Sequence, residues 1–425
     1  MALRTCKFLR SNILLKRFGK PIKMKATKIQ RYRLYQKAYL ELLVSSFTLV
    51  MSMGSISAFL PIFSHELDPS GILVGLVVSV WFLSRIFTEI PSGILADNIG
   101  RYRLLAAGLV LSTLGAFLCS FANAILILIV GRAIWGLGTG LFFMSSMATI
   151  FDLFPSNIRG RALGMFQAIE FAGSFIGAPI GSFMAVFMGY RIVFLMATGL
   201  MLISCLITFI SKDLQRIEVK DNNKNLASFS LEHILNAFKK RDLIAVYVTE
   251  FFRMLIWMGI ISTVFPLYLN LNIGVTTELI GVIISLNTLG LIVATAISGR
   301  LSDTFGRKPM IAVGMLLEAS SLYALTSITL LEVITLFSIM EGFGRGMILT
   351  SLMVLLSDLI PQALRGSAIG AYRTFMDVGG FVGPLFFMFV YEELGSYFTF
   401  VSAVVIVFIM LAIILTVKTP QNKRP

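Results

Sequence analysis

The chain has 425 residues, 57% of them hydrophobic and only 14% charged, with a mean hydropathy of +0.87. Soluble globular chains carry about a quarter charged residues, so a set of water-soluble cores is excluded. The formal charge of +14 is concentrated at one end: twelve basic residues (Arg4, Lys7, Arg10, Lys16, Arg17, Lys20, Lys23, Lys25, Lys28, Arg31, Arg33 and Lys37) precede the first acid, Glu41.

Residues 1–37 are therefore expected to form a basic cytosolic tail, suited to anionic lipid headgroups rather than to nucleic acid. No short apolar region with a small-residue cleavage site precedes residue 38, so a removed signal peptide is not expected, and Met24 is an alternative start. From there, apolar runs of the roughly 20 residues that cross a bilayer recur at about 38–63, 71–96, 103–123, 125–154, 160–188, 191–211, 243–269, 276–299, 309–329, 331–359, 366–391 and 396–417. A bilayer tolerates only backbone that is hydrogen-bonded internally, so these runs predict helices and an all-α integral membrane protein.

The short connections fix the expected orientation. Arg101, Arg103, Arg159, Arg161, Arg307, Lys308 and Arg365 lie on one side, together with the central stretch 212–242. The other side carries Arg191 among the acids Glu66, Asp68, Glu278, Glu392 and Glu393. Both termini, including the tail 419–425, are expected in the cytosol of a multi-pass cell-membrane protein. Within the central linker, Leu231, Ile234, Leu235 and Phe238 share one helical face, which suits a short helix on the membrane surface or a solvated turn. Cys6, Cys119 and Cys205 are far apart, and His65 and His233 cannot form a metal cluster.

The chain repeats itself at an offset of 206 residues. Gly75, Gly93, Asp97, Gly100 and Arg101 fall on Gly281, Gly299, Asp303, Gly306 and Arg307. Gly136, Gly138 and Gly140 fall on Gly342, Gly344 and Gly346, and Asp152, Pro155 and Arg159 on Asp358, Pro361 and Arg365. Gly173 and Gly177 fall on Gly379 and Gly383. Two six-helix bundles, 38–211 and 243–418, are thus predicted as parallel repeats, an organisation typical of secondary transporters with a midplane site.

Residues 93–105 (GILADNIGRYRLL) and 299–311 (GRLSDTFGRKPMI) resemble the doubled loop motif of the major facilitator superfamily, over roughly residues 38–418. The resemblance implies a conformational latch built from Gly93, Asp97, Gly100, Arg101 and Asp152, and from Gly299, Asp303, Gly306, Arg307 and Asp358. Arg132-Ala-Ile-Trp135-Gly136-Leu-Gly138 looks like the family's fourth-helix motif, whose arginine is associated with proton coupling; Trp135 departs from the pattern and Ser338 replaces the arginine in the second half. Gly173, Gly177 and Pro179, with their copies Gly379, Gly383 and Pro384, resemble the glycine–proline motif of the antiporter branch and serve equally well as plain packing positions.

Charges inside the spans form a second pattern. Arg85 and Glu89, Glu250 and Arg253, Glu341 and Arg345, and Arg373 and Asp377 are each one helical turn apart, whereas Arg132 and Glu170 have no same-helix partner. Glu170, Arg253, Glu341 and Asp377 fall about 15 Å from their nearer helix start, close to the midplane. Such residues mark transport paths or proton relays, although an ion pair within one helix also lowers the cost of insertion. The family arrangement puts helices 3, 6, 9 and 12 against lipid, which leaves Glu318 as the one deep charge on the outer set.

The expected function is a secondary active transporter moving a small organic solute by alternating access. Proton-coupled efflux of a drug or metabolite leads; proton-coupled uptake, or a non-transporting receptor or scaffold, are the alternatives. Glu170, Glu341 and Asp377 are the candidate proton carriers. Arg132, Arg253 and Arg373 are expected to pair with them or to hold an anionic group of the solute, and Asn287, Gln167, Tyr247 and Tyr372 are hydrogen-bonding neighbours. No phosphate-binding loop, cofactor, metal site or enzymatic nucleophile–base pair is read from the chain, which is expected to be monomeric and driven by an ion gradient.

Overall fold

The computed structural model describes residues 26–215, 240–360 and 365–417, with side chains at 26–35, 89–98, 156–157 and 365–367 excepted. The tail up to residue 25, the linker face of Leu231, Ile234, Leu235 and Phe238, and residues 419–425 lie outside this description. The surroundings of Gly93 and the side chains of Glu89 and Asp97 also lie outside it.

Helices dominate, and no strand occurs among the described residues. The first crossing, α1, is Ala26–Ser57 followed by Leu60–Leu67. Then come α2 (Gly71–Ile99), α3 (Arg101–Ser120), α4 (Ile125–Leu153), α5 (Ser156–Met188) and α6 (Tyr190–Ile210). In the second half, α7 runs from Arg241–Ile256 through two π-helical stretches, Trp257–Val264 and Leu269–Ile273, separated by Phe265–Tyr268. It is followed by α8 (Thr277–Phe305), α9 (Arg307–Ala324) and α10 (Leu331–Leu359). The last stretch, Arg365–Thr416, is broken by Gly395 at φ 81°, giving α11 (365–394) and α12 (396–416).

Among the described residues, ten helices are long and apolar enough to cross a membrane, with α11 and α12 joined in one of them. The remaining expected crossing is α9, only 18 residues long and carrying Arg307, Lys308 and Glu318. α1 is already helical at Ala26, ahead of the apolar run that begins at about 38. Hydropathy marks where a helix enters the apolar layer, whereas its hydrogen-bonded backbone continues into water.

Four of the described reversals between neighbouring helices are each made by a single glycine. Gly100 and Gly306 adopt φ 96° and 95°, so each ends one helix and begins the next in a conformation that a Cβ disfavours. Gly189 and Gly395, at φ 85° and 81°, do the same between α5 and α6 and between α11 and α12. This second pair obeys the same 206-residue offset and was legible in it.

Small residues bring the helices together within each bundle. Gly136 and Gly140 of α4 abut Trp81 and Thr88 of α2, while Gly138, turned to the other side, abuts Gly108 and Ser112 of α3. In the second bundle, Gly342 and Gly346 meet Asn287 and Leu291 of α8, and Gly344 meets Gly314 of α9. Gly173 and Gly177 lay α5 against the α1 backbone at Phe47 and Met51; Gly379 and Gly383 lay α11 against α7 at Phe251 and Leu255. The glycines of the glycine–proline motif therefore have a packing role inside each bundle, and Pro179 and Pro384 lie within the same helices.

The bundles meet along two seams, α2 with α11 and α5 with α8. Gly71 donates its N–H to Glu392 at 3.0 Å, Ser79 donates to the Phe381 carbonyl at 2.6 Å, and Ser285 donates to the Phe175 carbonyl at 2.6 Å. Gly75 packs on Pro384, Gly281 on Ser182 and Gly380 on Phe82. All these contacts lie in the half of the molecule away from the Arg101 and Arg307 loops. Gly160, Gly164 and Gly370, nearer those loops, have nothing within 4 Å of where a Cβ would stand. The seams are closed on the acidic face and part toward the basic one.

Candidate functional site

Where the closed seams end, charges from both bundles converge. Arg85 of α2 and Asp377 of α11 form an ion pair at 3.5 Å, Nη1 to Oδ1, with side chains 8% and 1% exposed. Sequence spacing suggested pairing within each helix, Arg85 with Glu89 and Arg373 with Asp377. The pair described at Arg85 crosses between the bundles, because α2 and α11 face each other at that depth, and the Glu89 side chain lies outside the described residues. Arg373, one turn nearer the basic face, reaches over the seam to the Met144 sulfur of α4 at 3.2 Å. Glu170 of α5 lies within electrostatic reach of both Arg373 and Arg85, and Ser46 of α1 donates to its Oε1 at 3.5 Å.

These four residues form an array of two guanidiniums and two carboxylates contributed by both bundles. Glu170 and Arg373 are partly exposed, whereas Arg85 and Asp377 are buried. Of the three candidate proton carriers, Glu170 is thus the one that is partly exposed, whereas Asp377 and Glu341 are buried. Gln167, one turn before Glu170, is exposed on the same helix.

Arg132 lies apart from this array, toward the acidic face. Its Nε donates to the Val77 carbonyl at 3.4 Å, and its guanidinium stands 5.4 Å from the Trp135 ring centroid and 5.9 Å from that of Trp81. It has no carboxylate partner among the described residues, so the expected pairing of Arg132 with Glu170, Glu341 or Asp377 is not what the structure shows. Trp81 also lies 4.7 Å beneath the Arg85 guanidinium. Sequence reading missed Trp81, although its position one turn before Arg85 is the spacing at which a cation meets an aromatic face.

The second bundle encloses a separate polar cluster. Arg253 donates to both oxygens of Glu250, at 2.7 and 2.5 Å, and Tyr372 of α11 donates to the same carboxylate at 2.7 Å. This two-pronged pair is the strong form of the interaction. Glu341 of α10 accepts from Asn287 of α8 at 2.5 Å and faces Arg345 Nη1 at 3.5 Å, while Arg345 Nη2 donates to Asn287 Oδ1 at 2.7 Å. Asn287 also donates to the Ser338 carbonyl at 2.7 Å, and the Arg345 guanidinium covers the Trp257 ring at 5.1 Å, in the first π-helical stretch of α7. π-Helical turns often occur at functional sites, where they re-aim a side chain. Tyr247, another named neighbour, packs near Phe375 at 5.7 Å between ring centroids.

Glu318 corrects the expectation of an outer, lipid-facing charge. It is 0% exposed and lies within electrostatic reach of Glu341, Arg345 and Arg253. Gly344 and Gly314 let α9 and α10 approach closely, and the rotation of α9 turns Glu318 inward.

At the basic face, the latch residues pair within their own bundles. Arg101 is paired with Asp152 and donates to the Ala148 carbonyl at 2.6 Å. Arg307 donates to Asp303 at 2.5 Å, Ser302 at 3.0 Å and Asp358 at 3.3 Å. These carboxylates hold the Arg307 pKa above its ordinary value; its partial burial acts in the opposite direction. Gly299 has only Thr350 at 4.0 Å from a Cβ position.

Two grooves, ≈ 530 Å³ along Glu41, Ile207 and Ser211 and ≈ 580 Å³ along Arg241, Ala245 and Thr416, lie on outer flanks of the molecule and contain none of the array residues. The space between the parted bundles is the better candidate for a solute, because it is lined by charges from both.

Comparison with known proteins agrees with this architecture. The family model described as Major Facilitator Superfamily matches residues 42–260 and 246–425. Multidrug resistance protein 2 of Bacillus subtilis is 24% identical over 400 residues, covering 90% of this chain and 96% of that protein. The multi-drug resistance efflux pump PmrA of Streptococcus pneumoniae is 26% identical over 345 residues, covering 79% of this chain and 84% of the pump. In fold, the chain resembles a bacterial homologue of the human lysosomal transporter Spinster, solved inward-facing and unoccupied. The TM-score is 0.77 at 15% identity, covering 90% of this chain and 96% of that one.

Proposed function

The chain belongs to the Major Facilitator Superfamily and is a multi-pass membrane transporter rather than an enzyme, and from that premise we propose that it exports a small organic solute, a drug or metabolite, in exchange for protons. The observation that carries this reading is the array of Arg85, Asp377, Glu170 and Arg373, held jointly by the two bundles where the closed seams end. The names of the multidrug-resistance relatives support the outward direction.

Alternating access requires the acidic-face seams to open and the basic face to close over the site. An ionised carboxylate sealed without water or a matched cation is costly, whereas a protonated one is not. Glu170, reached from the basic side, releases its proton when solute binds there. The loaded state then closes the basic face and opens the other. Reprotonation from that side lets the empty protein return. Asp377 and Glu341 join the coupling when the seams rearrange, and Arg373 supplies the counter-charge. In this reading the basic face is cytosolic, the protein lies in the cell membrane as a monomer with both termini inside, and the basic tail meets anionic headgroups.

The test is flux of a fluorescent organic cation in inside-out vesicles under an imposed pH gradient. Accumulation driven by an acidic lumen, abolished by dissipating the gradient, supports exchange. Accumulation driven by protons entering an alkaline lumen indicates symport instead, and saturable binding with no flux indicates a receptor.

A further inference from the structure

Neither carboxyl oxygen of Glu318 has a hydrogen-bond partner among the described residues, and the residue is 0% exposed. Its charged neighbours come from two helices: Glu341 and Arg345 on α10, and Arg253 on α7. Arg253 is already committed to both oxygens of Glu250. Arg345 is engaged by Asn287 and Glu341. The charges of α8, Glu278, Arg300 and Asp303, lie toward its two ends, and residues 396–416 of α12 contain no ionisable Asp, Glu, Lys, Arg or His. On α11, Arg373 and Asp377 turn to Met144 and Arg85 of the other bundle.

The enclosed cluster therefore holds three carboxyl groups, Glu250, Glu318 and Glu341, against two guanidiniums, Arg253 and Arg345. With every group ionised it carries one surplus negative charge, located on the one carboxyl that no donor reaches. A carboxyl stripped of water and donors neutralises by keeping its proton. We propose that Glu318 is a proton-binding site at the back of the second bundle, and that it alternates with Glu341 as the partner of Arg345. While Arg345 faces Glu341 and Asn287, the proton stays on Glu318. When Arg345 turns to Glu318, the proton leaves that carboxyl for Glu341, whose ion pair is broken in the same movement. The cluster stays neutral overall, with one bound proton in either state. Glu318 occupies the helix that sequence reading assigned to lipid, and the inference holds for either direction of transport.

Infrared spectroscopy of the purified full chain in lipid nanodiscs tests this, because a protonated buried carboxyl has a C=O stretch that is separate from ionised carboxylates and shifts on deuteration. In a Glu170→Gln background, which lacks the carboxyl that carries a proton in the empty transporter, the protein shows such a band at neutral pH. Adding Glu318→Gln removes it. Adding Glu341→Gln also removes it although Glu318 is intact, because Arg345 is then free to pair with an ionised Glu318. A band that survives the added Glu318→Gln, or that the added Glu341→Gln leaves in place, overturns the proposal. Absence of the band from the Glu170→Gln protein overturns it without a further variant.

Discussion

Arg85 of the first bundle and Asp377 of the second lie 3.5 Å apart and almost sealed from solvent, at the point where the closed seams end and the bundles begin to part. An ion pair placed across a moving interface differs in consequence from one within a helix, since opening the seam separates its members. Removing one partner of a buried pair typically costs about 3–5 kcal/mol. Asp377→Asn is therefore expected to weaken the closed acidic face and shift the population toward the state open on that side. Reactivity of Ser79→Cys, a near-isosteric change within the same seam, toward an impermeant thiol reagent measures this, and the charge exchange Arg85→Asp with Asp377→Arg restores the wild-type pattern.

Glu170 is the one candidate carrier that is partly exposed. Glu170→Gln is expected to reduce proton-driven flux in proteoliposomes by at least about tenfold, a change of about 1.4 kcal/mol in the barrier. Exchange of labelled solute at equal pH on both sides persists, because that half-reaction needs no net proton movement. Loss of both activities to the same degree instead makes Glu170 a residue of solute binding alone.

Glycines in the two halves of α5 and α11 should respond in opposite ways. Gly177 and Gly383 face backbone of α1 and α7, so Val at either position forces the helices apart and costs about 1–3 kcal/mol or more. Gly164 and Gly370 have open space around them, and Ala there favours the helix by about 0.5–1 kcal/mol. Thermal unfolding in detergent should show the first pair melting earlier and the second later. A lower melting temperature for Gly164→Ala would mean that the parted face is not the resting state in detergent.

The latch arginines offer a separation of stability from transport. Arg307 pairs with Asp303 and Asp358, whose side chains are 67% and 44% exposed, and exposed pairs contribute only about 0–1 kcal/mol. Asp358→Asn should leave the melting temperature nearly unchanged while altering the transport rate. Gly306→Ala acts through the backbone instead: at φ 95° a Cβ adds strain of about 1–2 kcal/mol, visible in the melt.

Part of the site was legible in the linear order of residues. The 206-residue repeat placed Gly100 with Gly306 and Gly136 with Gly342, and each pair has the same local role in the two bundles. Arg101 with Asp152, and Arg307 with Asp358, are brought together as the ends of adjacent helices require. Arg132 was singled out as a deep charge, but its aromatic surroundings in Trp135 and Trp81 were not read.

The sequence by itself determined the succession of membrane-length helices, their repeat and the basic face, because bilayer thickness and backbone hydrogen bonding act on stretches of chain regardless of neighbours. Only the tertiary structure decided which charges meet. Arg85 found Asp377 across a seam, Glu318 turned inward, and Glu170 was left partly exposed. Those outcomes depend on how each helix is rotated about its axis and on which bundle faces it. Spacing along one helix records separation by turns and carries neither quantity.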